Sequence, residues 1–174
     1  MHQLLLLRHA KSSWDDPKQA DRDRPLNKRG HKAAEAMRQA MLELGLAPDV
    51  VLVSPARRTL ETLAALEPWP ETPLVEQVEP LYLATVPQML GVLRDVSETV
   101  RSVLLIGHNP GMHDLAVALA GAFANGEDAH RLAEGYPTGA LAEFAIGAQW
   151  RQLDAGGGRL VRFLRPRDLP EAPG

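Results

Sequence analysis

The sequence predicts an α/β protein, a three-layer α/β/α sandwich around a mixed, mostly parallel sheet. Three short aliphatic runs, QLLLLR (3–8), VVLVS (50–54) and SVLLIG (102–107), lack the apolar/polar alternation of a strand with one wet face, as strands buried on both faces do. The stretches between them have helical spacing, and strand–helix–strand alternation with right-handed crossovers builds such a sandwich.

The elements follow in order. The first strand runs from 3 to 8, and DDPKQADRDRPL (15–26), charged and carrying two prolines, reads as a loop. A helix over 27–45 is closed by Gly45. The second strand leads into a helix over 55–66, with Ser54 as its N-cap and Pro55 at the first helical position. A strand near 74–79 and a helix over 86–98 precede the third aliphatic run. Asn109 and Pro110 repeat the cap-then-proline signal before a helix over 110–122. The polar stretch 124–137, with two glycines, reads as a loop. Strands at 140–147 and 159–164 are expected to be antiparallel at the sheet margin. Residues 1–165 are expected to form one domain, with 166–174 a disordered tail.

Composition narrows the function. The 174 residues are 45% hydrophobic and 24% charged, enough for one substantial core. A net charge of -3 and a pI near 6.1 give no bulk attraction to nucleic acid or an anionic membrane. There is no cysteine, hence no disulfide framework, thiolate zinc site or thiol nucleophile. The apolar start has no signal-peptide pattern, and no apolar run approaches the roughly 18 residues of a membrane span. A cytoplasmic protein is expected.

In an open α/β sheet ligands bind beyond the carboxyl ends of the strands. The first strand exits into Arg8-His9, the second into SPARRTLET (54–62), the third into GHNPG (107–111). Each exit alone has a bland reading: a solvated loop, a capped helix start, a turn. Together they deliver histidines and arginines to one edge, where two helix N-termini are also expected, and a phosphate-sized anion suits that combination. Successive strand residues face opposite ways, so Arg8 and His9 share one pocket only if the backbone turns there. A metal is the other reading of two histidines. It is disfavoured because such sites usually add carboxylate or thiolate ligands and the arginines would repel a dication. His2, His31, His113 and His130 read as terminal, helix-start, packing and loop residues.

The pieces LLLRHAKS, DRPLNKRG (23–30), VLVSPARRTLET (51–62), PLYLA (80–84) and VLLIGHNPG (103–111), in this order and spacing, resemble the histidine phosphatase superfamily. This is the phosphoglycerate mutase-like group, and the closest resemblance is to its short phosphohistidine phosphatase (SixA-like) branch. The resemblance implies the phosphoglycerate mutase-like fold, no metal or cofactor, and a phosphoryl transfer in which His9 is transiently phosphorylated. It assigns Arg8, Arg58 and His108 to the phosphate pocket, picking Arg58 over Arg57. Arg24 and Asn27 fall at motif positions near the pocket, although Asn27 also reads as a helix N-cap. Ala10 stands where a glycine is commoner in the family, and Thr59 where an alanine is usual.

Phosphoryl transfer needs in-line positioning and cations around the equatorial oxygens, which two arginine forks supply. His9 must attack as a neutral ring, and Arg8 and Arg58 disfavour its imidazolium; a backbone carbonyl on its other nitrogen would fix the tautomer. His108 can donate to the phosphoryl oxygens. Glu79, before PLY, is the candidate acid for a basic leaving oxygen. An imidazole leaving group, with a pKa of about 6.5, has less need of one. Only 10–26 and 123–138 are available as pocket walls, and an open pocket suits a phosphoryl group carried on a protein. The expectation is a metal-independent phosphatase for protein phosphohistidine. Its alternatives are a phosphomonoesterase for a small metabolite and a non-catalytic phosphate-binding domain. Lys11 and Trp14 either line the pocket rim or cover the sheet edge.

Overall fold

The structure, a computed structural model, describes residues 1–171. Its strands are β1 (His2–Arg8), β2 (Val50–Val53), β3 (Leu74–Gln77), β4 (Ser102–Gly107), β5 (Leu141–Ile146) and β6 (Gly158–Leu164). They form one sheet in the order β3-β2-β4-β1-β5-β6. The first four strands in that order run parallel, and β5 and β6 are antiparallel at one margin.

The leucine run is explained by its place. β1 lies between β4 and β5, and Leu4 to Leu7 are all buried. Leu4 and Leu6 pack on one side of the sheet with Met89, Leu93, Leu115 and Leu119. Leu5 and Leu7 pack on the other with Met37, Met41 and Leu63. The helices that cover the faces are therefore α1 (Lys28–Leu44) and α2 (Arg57–Ala65) on one side, and α3 (Val86–Arg94) and α4 (Gly111–Ala120) on the other. Strict period-two facing turns four consecutive leucines into two helix-binding surfaces. No helix among the described residues is long and apolar enough to cross a membrane.

Helix ends follow local chemistry. Asn27 caps α1 by accepting from the Gly30 amide at 2.8 Å, and Gly45 (φ 68°) ends it. Thr85 and Gln88 form a capping box at the start of α3.

Several elements differ from expectation. Within 124–137, Glu127–Glu134 is a helix, α5, not loop. Only Leu132 is buried on it, so it shows little apolar period, and Arg131 pairs with Glu127 at i,i+4. α2 begins at Arg57, two residues later than a Ser54 cap would place it, and Ser54 Oγ accepts from the Ala56 amide at 3.3 Å while also meeting His108 Nε2. α4 starts at Gly111 with Pro110 in the cap position, and α3 stops at Arg94. β3 ends at Gln77, and Glu79 opens a short 3-10 turn. Of the stretch expected to be a disordered tail, Pro166–Asp168 forms a 3-10 turn, Arg165 is ion-paired with Asp168 and Leu169 packs against the core. Residues 172–174 of that stretch lie outside the described residues.

Gly30 marks where α1 meets the loop after β1. A Cβ there would sit 2.1 Å from the Lys11 carbonyl oxygen, which also accepts from the Asn27 amide at 3.0 Å. Gly30→Ala is expected to destabilise the fold by about 1–3 kcal/mol, read as a lower midpoint in thermal or denaturant unfolding.

Candidate active site

The parallel register brings the strand exits into contact. Arg8 is level with Gly107, and Val53 with Ile106. The ladder continues one step beyond the strands, with the His9 amide donating to the Gly107 carbonyl and the Ser54 amide to Ile106, both at 3.1 Å. Arg8, His9, Ser54 and His108 therefore converge, and the first turn of α2 adds Arg58.

The backbone turns after β1, as a shared pocket requires. Gly139, with φ 76°, places its amide between the carbonyls of Arg8 and His9, at 3.1 and 2.9 Å. The Ala10 amide donates to Thr62 Oγ1 at 3.0 Å, and that hydroxyl donates to the Arg58 carbonyl at 2.7 Å. One threonine thus ties the turn after β1 to the helix that carries Arg58. Leu83 is the one non-glycine with positive φ among the described residues, so Ala10 keeps an ordinary backbone. The Thr59 hydroxyl donates to the carbonyls of Ser54 and Ala56, so this departure from the family is satisfied within the helix start.

His9 is 7% exposed, and its Nδ1 lies 2.7 Å from the Ala10 carbonyl. A carbonyl only accepts, so Nδ1 carries the proton and the Nε2 lone pair is free to attack. Burial, then the charges of Arg58, Arg8 and Arg24, lower its pKa from 6.5 to about 4 against the opposing pull of the Ala10 bond.

His108 rings the site at 5.4 Å from His9, centroid to centroid. Its Nε2 is 2.7 Å from Ser54 Oγ, and its Nδ1 is 3.3 Å from Arg58 Nη2. A guanidinium only donates, so in this arrangement Nδ1 accepts and Nε2–H donates to Ser54. When Nδ1 is required to donate to a phosphoryl oxygen, the same hydroxyl can turn and donate to Nε2. Burial, then Arg58, lowers the His108 pKa to about 3.

Arg58 is 2% exposed. It donates Nη1 to the Asp21 carbonyl at 2.7 Å and Nη2 to the Asp21 carboxylate at 3.0 Å. Arg8 donates Nη1 to the Tyr136 carbonyl at 2.9 Å, which Asn109 Nδ2 shares, and burial and Arg58 pull the Arg8 pKa down. The Nε of Arg8 and the Nε of Arg58 are both buried without a partner. Two orphaned guanidinium donors beside a neutral imidazole are groups that an oxyanion would satisfy.

Asp21, Tyr82 and Ser54 are site residues that the sequence reading missed. Asp21 sits on a 3-10 turn (Asp21–Asp23) inside the loop 15–26. Besides Arg58, its carboxylate accepts from Arg24 Nε at 3.2 Å and from the Tyr82 hydroxyl. Burial opposes its ionisation, but the bonds from Tyr82 and Arg58 outweigh this and hold its pKa at about 2. Tyr82 is the tyrosine of PLY, and its ring meets His108 edge-on at 5.4 Å. Ser54 had a visible signal, a serine at a strand exit, and capping explained it equally well.

The remaining expectations divide. Arg24 is 7% exposed, bonded to Ser12 and Asp21, with Trp14 stacked 3.5 Å from its guanidinium carbon. Trp14 is exposed and covers that guanidinium, and Lys11 is exposed. The Asn27 side-chain oxygen is taken by the α1 cap, which fits its capping reading. Glu79 is exposed and paired with Arg22 at 2.6 Å, which holds its carboxyl below the usual range. Arg57 is exposed and paired with Glu61. His2 stacks on Trp150, His113 bonds the Leu132 carbonyl, His130 pairs with Glu134, and His31 is exposed. Among the described residues no three His, Asp or Glu side chains come together to hold a metal ion.

Comparison with known proteins gives the following. The profile described as histidine phosphatase superfamily (branch 1) matches residues 4–78. An uncharacterized Mycobacterium tuberculosis protein is 34% identical over 165 residues, 92% of this chain and 100% of the relative. A solved structure from Agrobacterium tumefaciens, of a candidate phosphohistidine phosphatase SixA, is 31% identical. It superposes with a TM-score of 0.80, covering 95% of this chain and 98% of that one. A candidate SixA from Nakamurella is 28% identical with a TM-score of 0.83, covering 95% and 96%.

Ser54→Ala leaves the buried His108 Nε2 without a partner. The expected cost is about 1–3 kcal/mol of stability, with a fall in turnover of about tenfold or more, whereas Ser54→Thr keeps the hydroxyl and recovers part of both. The histidines also predict a pH dependence. In the unfolded chain they bind protons below about pH 6.5, but in the folded protein only near 4 and 3. Their contribution to stability is therefore whole above pH 6.5 and falls as the pH drops toward 4. Denaturation midpoints across that range check it, and the slope is shallower in His108→Asn.

Proposed function

Because the chain belongs to the histidine phosphatase superfamily, in its SixA-like branch, we propose that it is a metal-independent phosphatase acting through a phosphorylated His9 on protein-borne phosphohistidine. The observation that carries the chemistry is the pair of guanidinium Nε atoms of Arg8 and Arg58, buried without a partner on two arginines whose charges act on His9, whose Nε2 lone pair is free.

In the first step the Arg8 and Arg58 forks hold the equatorial oxygens. His9 Nε2 attacks phosphorus, and the bond to the leaving group breaks. His108, through its Ser54-supported tautomer, donates to a phosphoryl oxygen. Water then attacks the phosphohistidine, displacing His9 Nε2 and releasing inorganic phosphate. Arg24 acts from behind, bonded to Asp21 and Ser12.

The carboxylates favour the phosphohistidine substrate. Glu79 and Asp21 are both held ionised by arginines at neutral pH, so neither is a ready proton donor for a basic alkoxide. An imidazole leaving group takes its proton near neutrality and has less need of one. The neighbours named as candidate phosphohistidine phosphatases support the same class.

The test is turnover of a phosphohistidine-bearing protein against a panel of small phosphomonoesters. The expected result is a kcat/KM about tenfold or more in favour of the protein, with an acid-labile phosphoenzyme trapped at early times. His9→Ala is expected to fold, to lose the phosphoenzyme and to lose activity by a factor on the order of 10³ or more. Turnover of small esters alone overturns the substrate, and an active His9→Ala overturns the nucleophile.

A further inference from the structure

The contacts of Asp21 reach beyond what holding and attacking a phosphoryl group requires. Its Oδ2 accepts from Arg58 and Tyr82, and its Oδ1 meets both Nε and Nη2 of Arg24 at 3.2 Å, yet the side chain keeps 45% exposure. The two Arg24 nitrogens form one guanidinium edge, so they engage one side of Oδ1 and leave its other lone-pair direction to the exposed part of the carboxylate, beside the buried Arg58 that faces His108.

The local charge balance matters because His9 and His108 are neutral. Arg8, Arg58 and Arg24, set against Asp21, leave two positive charges uncompensated, the charge of a phosphate dianion. An unopposed arginine cluster would favour more highly charged anions. With Asp21 in place, any further negative charge on the substrate meets a carboxylate at the mouth. A donor or cation meets an acceptor with a free lone pair.

We propose that Asp21 is a specificity-determining residue that selects phosphoryl compounds whose leaving side carries an N–H donor or positive charge, and excludes those with a carboxylate or second phosphate close to the first. The ring N–H of a phosphorylated imidazole belongs to the accepted class. The carboxylate accepts its hydrogen bond and stabilises the protonated ring, so the imidazole departs with its proton. Phosphorylated small acids belong to the rejected class. This inference rests on the phosphate-site reading above and deepens it, because it names which side of the substrate Asp21 reads.

Two non-hydrolysable probes test it without relying on turnover. Aminomethylphosphonate carries an ammonium next to the phosphonate, and phosphonoacetate a carboxylate. In calorimetric titrations the wild-type chain is expected to bind the first about tenfold tighter or more. In Asp21→Asn, which keeps an acceptor and removes the charge, the gap is expected to shrink to about threefold or less. Asp23→Asn, which removes an exposed neighbouring charge, is expected to keep the wild-type gap. Equal binding of the two probes by wild type overturns the proposal, as does an undiminished gap in Asp21→Asn or a gap lost equally in Asp23→Asn. Equal or reversed binding by wild type overturns the proposal even if Asp21→Asn does not fold, and Asp21→Glu, which keeps the charge, is then the second variant, expected to keep the preference for aminomethylphosphonate. Lack of turnover with the binding order intact overturns the catalytic reading alone. Loss of the order with turnover intact overturns the role of Asp21 alone.

Discussion

The hydrogen bond from the His9 amide to the Gly107 carbonyl is the constraint on which the site depends. It carries the β1–β4 ladder one residue past the end of the strand, so the residue after Arg8 is placed by sheet geometry and not by a loop. The neighbouring bond from Ser54 to Ile106 does the same for the β2 exit. A one-residue slip of β1 on β4 would turn the leucines of β1 to the wrong helix layers and carry His9 away from His108, and a slip of β2 on β4 would carry Ser54 away from it. Core packing and site geometry are thus specified by the same register.

Electrostatics then determine what the converged residues can do. Guanidiniums crowd two buried imidazoles. The imidazoles respond by staying neutral, one with a lone pair directed outward and the other held between a hydroxyl and an arginine. The arginines keep their charge, and their surplus donors are left unpartnered. A neutral imidazole among fixed cations is a preorganised arrangement, with little reorganisation left for binding an anion.

Much of the fold could be read in the sequence because its signals were redundant. The uninterrupted aliphatic runs, Gly45 and the strand–helix alternation agreed with one another on the layers of the fold, whereas the register of β1, β2 and β4 is visible only in the structure, because runs buried on both faces have no alternation to mark it. The residues at the strand exits, Arg8, His9, Arg58 and His108, were legible because position and chemistry coincided. α5 was not, since it buries a single leucine and its other residues are mostly charged or polar, so the stretch reads as a loop. Ser54 was legible as a polar residue but not in its role, because capping and holding His108 call for the same side chain. Asp21 lay in a charged loop where several carboxylates look alike, and only the fold selects the one that meets Arg58, Arg24 and Tyr82. The pairing of Glu79 with Arg22 was hidden because those residues are distant in sequence and meet only when the loop 15–26 lies against the turn after β3.

β1 is hydrogen-bonded on both sides, to a parallel neighbour and to an antiparallel one, and its leucines are buried in both layers. Such a strand opens only when the whole sheet does, and its amides belong among the slowest to exchange with solvent. Arg8 is the last residue of that strand and His9 the next. His9 is therefore borne by the most persistent part of the molecule, while Asp21 and Trp14 belong to a peripheral segment that local fluctuations can reach first. Breathing of the protein thus varies the surroundings of Arg58 and Arg24 long before it disturbs the His9 ring.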